Sequence, residues 1–200
     1  MTNTPRTLPD AAGNKAISPV KLAHVVLRAS NLKRSRDWYL RVLEARPAFE
    51  NEMVCFMTYD DEHHRIGLIG RPDVSGSADM CPGLEHIAFT YASLGELLAS
   101  YRRLARHDIL PYWTINHGPT ISLYYKDPDG NRLELQYDVF EQPADLDAFF
   151  ASGAYTENFM GVRFDPEQMI ARFEAGEPLP AITARPKLPE GATPWDMFIP

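Results

Sequence analysis

The feature that most constrains this chain is an internal repeat. Leu22-Ala-His24-Val and Leu84-Glu-His86-Ile stand 62 residues apart, and the elements after each come in the same order. Leu22–Leu27 is a short run rich in branched residues, a strand by composition, with His24 inside it. A helix start at Ser30-Asn31 leads into Ser35–Leu43, where Trp38, Tyr39, Val42 and Leu43 fall at helical spacing among arginines. Ala48–Asn51 leads into a buried strand, Met53–Tyr59. Asp60-Asp61-Glu62 is a turn, and His63–Ile69 is a further strand. The second copy reads as strand Leu84–Phe89 with His86, helix Leu94–Arg106, strand Pro111–Ile115, and a hairpin from His117 to Tyr137. A β-α-β-β-β unit is written twice. Each unit is too small to bury a core alone, so the two must pair.

The last hairpin carries the clearest pattern. Ile121, Leu123 and Tyr125 alternate with Ser122, Tyr124 and Lys126, as in a half-buried strand. Asp127-Pro-Asp-Gly-Asn131 is turn chemistry. Beyond it Leu133, Leu135 and Tyr137 share one face, and Glu134 lies on the other with Arg132 and Gln136. The repeat sets Arg65-Ile-Gly67-Leu-Ile against Arg132-Leu-Glu134-Leu-Gln, so Gly67 occupies the place equivalent to Glu134.

The rest of the chain bounds the function. A net charge of −7 argues against nucleic acid as a partner, because phosphate binding needs a basic surface. No apolar run is long enough to span a membrane. The polar N-terminus does not read as a signal peptide, and two cysteines, Cys55 and Cys81, without a pairing motif suit a reduced, cytoplasmic protein. The organisation expected is a flexible arm over 1–18, a double-unit domain over 19–140 (units about 20–72 and 83–140), and a C-terminal extension over 141–200. Pro72–Pro82 is the linker between the units. In the extension, Ala144–Phe150 reads as a short helix. Asp165-Pro166 opens a helix that Gly176 closes, and the remainder is an extended tail with six prolines, anchored by Leu179, Trp195, Met197 and Phe198.

His24, His86 and Glu134 are each expected inside a strand, two of them related by the repeat. Two neutral imidazoles and one carboxylate suit a divalent metal and leave positions open for other ligands. Non-haem Fe(II) oxygenases use such a set.

These paired units resemble the vicinal oxygen chelate superfamily from about Lys21 to Asp138, with His24 and His86 in equivalent strands and Glu134 after Asp-Pro-Asp-Gly-Asn. The resemblance is nearest to the type I extradiol ring-cleaving dioxygenases. It implies an α+β fold in which the two paired units form one half-open barrel around a metal held by His24, His86 and Glu134, with a helical and extended tail beyond. It implies Fe(II), with Mn(II) suiting the same ligands, and a catechol-type aromatic diol and O2 as substrates. Glyoxalases of this superfamily add a carboxylate at the place that is Gly67 here, so three ligands are expected. Asp61-Glu-His-His64-Arg resembles the Glu-Arg-His-His phrase of those dioxygenases, which implies an acid/base role for His64; His63 is expected on the opposite side of the strand, without a role. Tyr124, ten residues before Glu134, matches the tyrosine that binds the substrate oxygen. Asn116-His117-Gly118 resembles the phrase ahead of the family's last hairpin and adds His117 as a candidate catalytic residue, although its seven-residue spacing to Tyr124 is short. Tyr112, Trp113, Phe56, Met57 and Phe89 are candidates to line the pocket. The other readings are a metal-dependent lyase, isomerase or thiol transferase, and a non-catalytic binder of an aromatic metabolite or drug. A homodimer is expected from the open sheet edges and the apolar tail.

Overall fold

The computed structural model describes residues 19–73 and 83–199. The N-terminal arm over 1–18, most of the linker, and Cys81 lie outside the described residues. The first unit comprises β1 (Val25–Ala29), α1 (Leu32–Val42), β2 (Arg46–Glu50), β3 (Val54–Thr58) and β4 (Ile66–Gly70). The second comprises β5 (Ile87–Thr90), α2 (Leu94–Ala105), β6 (Trp113–Asn116), β7 (Thr120–Lys126) and β8 (Arg132–Asp138). The extension adds α3 (Pro143–Ala151), α4 (Ala154–Glu157), β9 (Val162–Arg163), α5 (Pro166–Glu174), α6 (Leu179–Thr183) and a 3-10 turn, Pro194–Met197.

The fold is α+β, with two open sheets ordered β1-β4-β3-β2 and β5-β8-β7-β6-β9. In both units the first strand runs parallel to the last, and the other pairings are antiparallel. The repeat is therefore one of topology as well as of sequence. Among the described residues no helix is long and apolar enough to cross a membrane.

Local chemistry explains the elements. Asn31 caps α1 by accepting the Arg34 N–H at 3.0 Å, and Ser93 caps α2 from Glu96 N–H at 3.2 Å. Asp165 caps α5 with Pro166 at its first position, as the sequence indicates. Several boundaries move. β6 begins at Trp113 rather than Pro111, since proline offers no N–H to a ladder. β2, read only as a lead-in, is an edge strand exposed along its whole length, with Pro47 beside an irregularity in the register. Its lack of apolar alternation hid it. His24 and His86 each stand one residue before their strands, and His63 and His64 precede β4. The tail is partly helical: Met197 is buried, but Leu179 and Trp195 are exposed and do not anchor it.

Strand alternation divides the side chains between two faces. Cys55, Met57, Ile66 and Leu68 pack with Tyr39 of α1, while Ile121, Leu123, Tyr125 and Leu135 pack with Leu97 and Leu98 of α2. These helix-covered cores interlock, because Val42 of α1 lies in the second and Leu133 of β8 in the first. Polar bonds seal the joint. Tyr39 donates its buried hydroxyl to Asp127 at 3.0 Å, Ser35 donates to Asp129 at 2.8 Å, and Arg103 of α2 donates to the Arg41 and Val42 carbonyls at the end of α1. Tyr39→Phe should cost about 1.5–3 kcal/mol by removing a buried hydrogen bond to a carboxylate. Urea unfolding followed by circular dichroism would measure the loss, with the native spectrum unchanged.

Candidate metal and substrate site

Glu134 sits in the middle of β8, on the face opposite Leu133 and Leu135, and is only 5% exposed. Its Oε2 lies 3.0 Å from His86 Nε2. Ser122 and Tyr124, on the neighbouring strand β7, also hydrogen-bond to it. Burial alone would push this carboxyl up; the bonds from His86, Ser122 and Tyr124 outweigh burial and hold it below the usual carboxylate range. The same bond to Glu134 raises His86. Two donors about 2.1 Å from one ion and at right angles to each other would lie about 3 Å apart, so this imidazole–carboxylate pair fits a divalent metal.

Tyr124 pairs directly with Glu134 across the β7–β8 ladder. Its hydroxyl lies 3.1 Å from His117 Nε2, and His117 Nδ1 lies 2.6 Å from the Met160 carbonyl. A carbonyl only accepts, so Nδ1 carries the proton and Nε2 of the neutral ring accepts from Tyr124. The single hydroxyl proton of Tyr124 thus faces two acceptors, Glu134 and His117. Burial, then the Glu134 charge, push the phenol well above its ordinary value, and burial lowers His117.

The equivalent corner of the first unit holds three histidines. The rings of His24 and His64 are 4.2 Å apart between centroids, and Phe56 stacks on His64 at 4.7 Å. The His63 and His64 Nδ1 atoms approach to 2.6 Å. His63 therefore lies beside His64 rather than across a strand from it, because both belong to the turn before β4. Burial, followed by the charges of His24 and His63, lowers His64. Gly67 pairs with Val26 as Glu134 pairs with Ala88, which places Gly67 at the position equivalent to Glu134. A Cβ at Gly67 would meet Val26 Cγ2 at 3.2 Å and Phe56 Cδ1 at 3.3 Å, so a side chain there would have to shift both by a few tenths of an ångström.

The structure thus gathers His86, Glu134, Tyr124 and His117 in one group, and His24, His63 and His64 in another. Among the described residues no three His, Cys, Asp or Glu side chains converge as a ready-made metal cluster. Of the expected pocket residues, Trp113 stacks on Tyr124 at 4.6 Å and Phe56 lies beside His64, but Met57 and Phe89 pack in the helix-side core.

The extension reaches this site, as a tail able to cap the mouth of the site would, and the contacts it makes are main-chain ones. β9 pairs with β6, and Gly161 precedes it at φ +104°; a Cβ there would sit 2.8 Å from His117 Cα and closer still to the Asn116 carbonyl oxygen. Arg185 donates to the carbonyls of Ala154, Asn158 and His117, while Trp113 donates its indole N–H to the Met197 carbonyl. The sequence signal is the stretch Gly161-Val-Arg-Phe-Asp-Pro-Glu-Gln168, whose first residue makes the close approach to His117.

A family model described as the Glyoxalase/Bleomycin resistance protein/Dioxygenase superfamily matches residues 21–135. The chain belongs to this superfamily. Two relatives from Rhodococcus globerulus are named biphenyl-2,3-diol 1,2-dioxygenase 2 and 3. They are 43% and 40% identical to it, over 82% of this chain and 86% and 88% of theirs. A glyoxylase/bleomycin resistance protein/dioxygenase domain from Frankia sp. EAN1pec shares the fold, with a TM-score of 0.50 and 21% identity over 60% of this chain and 99% of that one.

Because burial depresses His117, its neutral form stabilises the fold fully above the unfolded value of about 6.5. That contribution should be lost as pH falls from there through the lower folded value. Thermal melts between pH 5 and 8 should show a steeper acid-side loss for the wild type than for His117→Gln.

Proposed function

We propose that this chain is an Fe(II)-dependent extradiol dioxygenase that opens the ring of a catechol-type aromatic with O2. One observation carries the reading: a buried carboxylate–imidazole pair beside a tyrosine, Glu134–His86–Tyr124, in a chain 43% identical to a biphenyl-2,3-diol 1,2-dioxygenase. A 1,2-dioxygenase acting on a 2,3-diol breaks the bond between a hydroxylated carbon and its unhydroxylated neighbour, which is extradiol cleavage. Gly67, which has no side chain to offer at the place equivalent to Glu134, weighs against the four-ligand lyase alternative.

His24, His86 and Glu134 would hold the metal, and Mn(II) would suit the same donors. Bound there, Fe(II) supplies a Lewis acid for the diol and an electron path to O2. Tyr124 donates a hydrogen bond to a substrate oxygen, its phenol kept protonated by burial. His117, held by the Met160 carbonyl, limits the directions in which that hydroxyl can point. His64, lowered by burial, is neutral near pH 7 and takes the proton of one substrate hydroxyl at an imidazole nitrogen, then returns it to the leaving oxygen. Phe56 and Trp113 offer apolar surface to an aromatic ring. The protein works as a homodimer.

The test is anaerobic loading with Fe(II), then 2,3-dihydroxybiphenyl, 3-methylcatechol or catechol in air, following oxygen uptake and the yellow ring-opened product. His64→Ala should keep its iron and lose about 100-fold or more in turnover, whereas Glu134→Ala should lose the iron. Tight iron binding with no oxygen uptake on any diol would overturn the assignment.

A further inference from the structure

His117 takes its proton arrangement from a loop of the extension, Asn158-Phe-Met-Gly161, that holds no charged side chain. Which nitrogen of a neutral imidazole carries the proton is set by the partner of the other nitrogen. Here that partner is the Met160 carbonyl, 2.6 Å from Nδ1. A main-chain carbonyl can fix a tautomer only if its own direction is fixed.

Asn158 supplies that direction. It is 4% exposed, and its amide is spent on the loop. Oδ1 accepts the Met160 N–H at 3.2 Å and the Gly161 N–H at 2.9 Å, while Nδ2 donates to the Gly161 carbonyl at 2.8 Å. A trans peptide is planar and sets its C=O and N–H in opposite directions. Holding the Gly161 N–H on Asn158 therefore turns the Met160 carbonyl the other way, onto His117. Arg185 fixes the separation. Its Nη1 donates to the Asn158 carbonyl at 2.7 Å and to the His117 carbonyl at 3.2 Å, so one guanidinium joins the loop to the residue on which the loop acts. Nη2 reaches the Ala154 carbonyl at 2.7 Å, and the group lies over the Phe149 ring at 5.2 Å from its centroid.

The tautomer governs Tyr124. With the proton on Nδ1, Nε2 is an acceptor 3.1 Å from the Tyr124 hydroxyl, and the phenol proton has a resting place other than Glu134. With the proton on Nε2, the ring would donate to the phenol oxygen. The phenol proton would then be driven onto its other acceptor, Glu134. A carboxylate oxygen bonded to that proton is less free to bind a metal.

We propose that Asn158 and Arg185 are positioning residues of this site: they aim the Met160 carbonyl at His117, lock the imidazole as the Nδ1–H tautomer, and so leave Glu134 and the Tyr124 hydroxyl free for metal and substrate. What the lock does for metal and diol rests on the ligand reading above; the lock itself does not.

Long-range 1H–15N spectra of the metal-free, 15N-labelled protein at about pH 8 read the tautomer, with the His117 signals assigned by their loss in His117→Gln. The wild type should show a protonated Nδ1 and a bare Nε2. Asn158→Ala and Arg185→Gln should each move His117 toward the Nε2–H form. Asn158→Asp keeps an oxygen for the Gly161 N–H and should restore the wild-type pattern. Fe(II) affinity, titrated anaerobically, should fall about 10-fold where the tautomer changes. A residue that only held the loop folded would lower the melting temperature and leave the nitrogen shifts in place. His117 protonated on Nε2 in the wild type, or still on Nδ1 in a folded Asn158→Ala or Arg185→Gln chain, would overturn the proposal. If Asn158→Ala does not fold, Arg185→Gln decides alone. A tautomer that responds as expected in a chain that binds no iron and cleaves no diol would uphold the lock and overturn the dioxygenase reading.

Discussion

The β7–β8 turn is the point on which the rest of the structure depends. Asp127 is almost fully buried and gathers its own turn, accepting the N–H groups of Asp129 and Asn131 at 2.9 and 2.7 Å and the Asn131 amide at 2.9 Å. Its remaining bond comes from Tyr39 of the other unit. Asp129, two residues on, accepts from Ser30 and Ser35 at the start of α1, where the helix dipole favours a negative charge. A buried carboxylate is costly unless its oxygens are filled. Three of these bonds to Asp127 come from the hairpin itself and the fourth from Tyr39 of α1, so the turn that shapes the hairpin also ties it to the first unit. Glu134 lies a few residues downstream on that hairpin and inherits its position.

Much of this was legible in the sequence, because it rests on periodicity. Alternation along the last hairpin placed Glu134 opposite the core, and the repeat placed Gly67 at the equivalent position; the pairings Val26–Gly67 and Ala88–Glu134 bear both out. The histidines lie one residue outside their strands, yet they keep their equivalence, since both shifted together. What the sequence hid is contact made by main-chain atoms. Met160 acts on His117 through its carbonyl, and Arg185 ties three carbonyls whose residues have nothing in common. Side-chain identity carries no mark of such bonds. The arrangement of His63 and His64 was hidden for another reason: a strand was expected where a turn brings both rings together.

The two units have diverged in what surrounds the shared geometry. The second has a buried, fully partnered carboxylate, and an extension that closes over Trp113 and braces His117. The first has Gly67 where the second has that carboxylate, and its outer face is exposed at Val26 and Ile69, with His63 and His64 in a turn.

Gly67 also limits where this site can go. A side chain there would press on Phe56, which is stacked on His64, and on Val26, each by a few tenths of an ångström. Adding a fourth ligand at this place would therefore also press on the ring stacked against His64. The identity of the residue at this one place thus bears on the ligand set and on the orientation of the neighbouring histidine together.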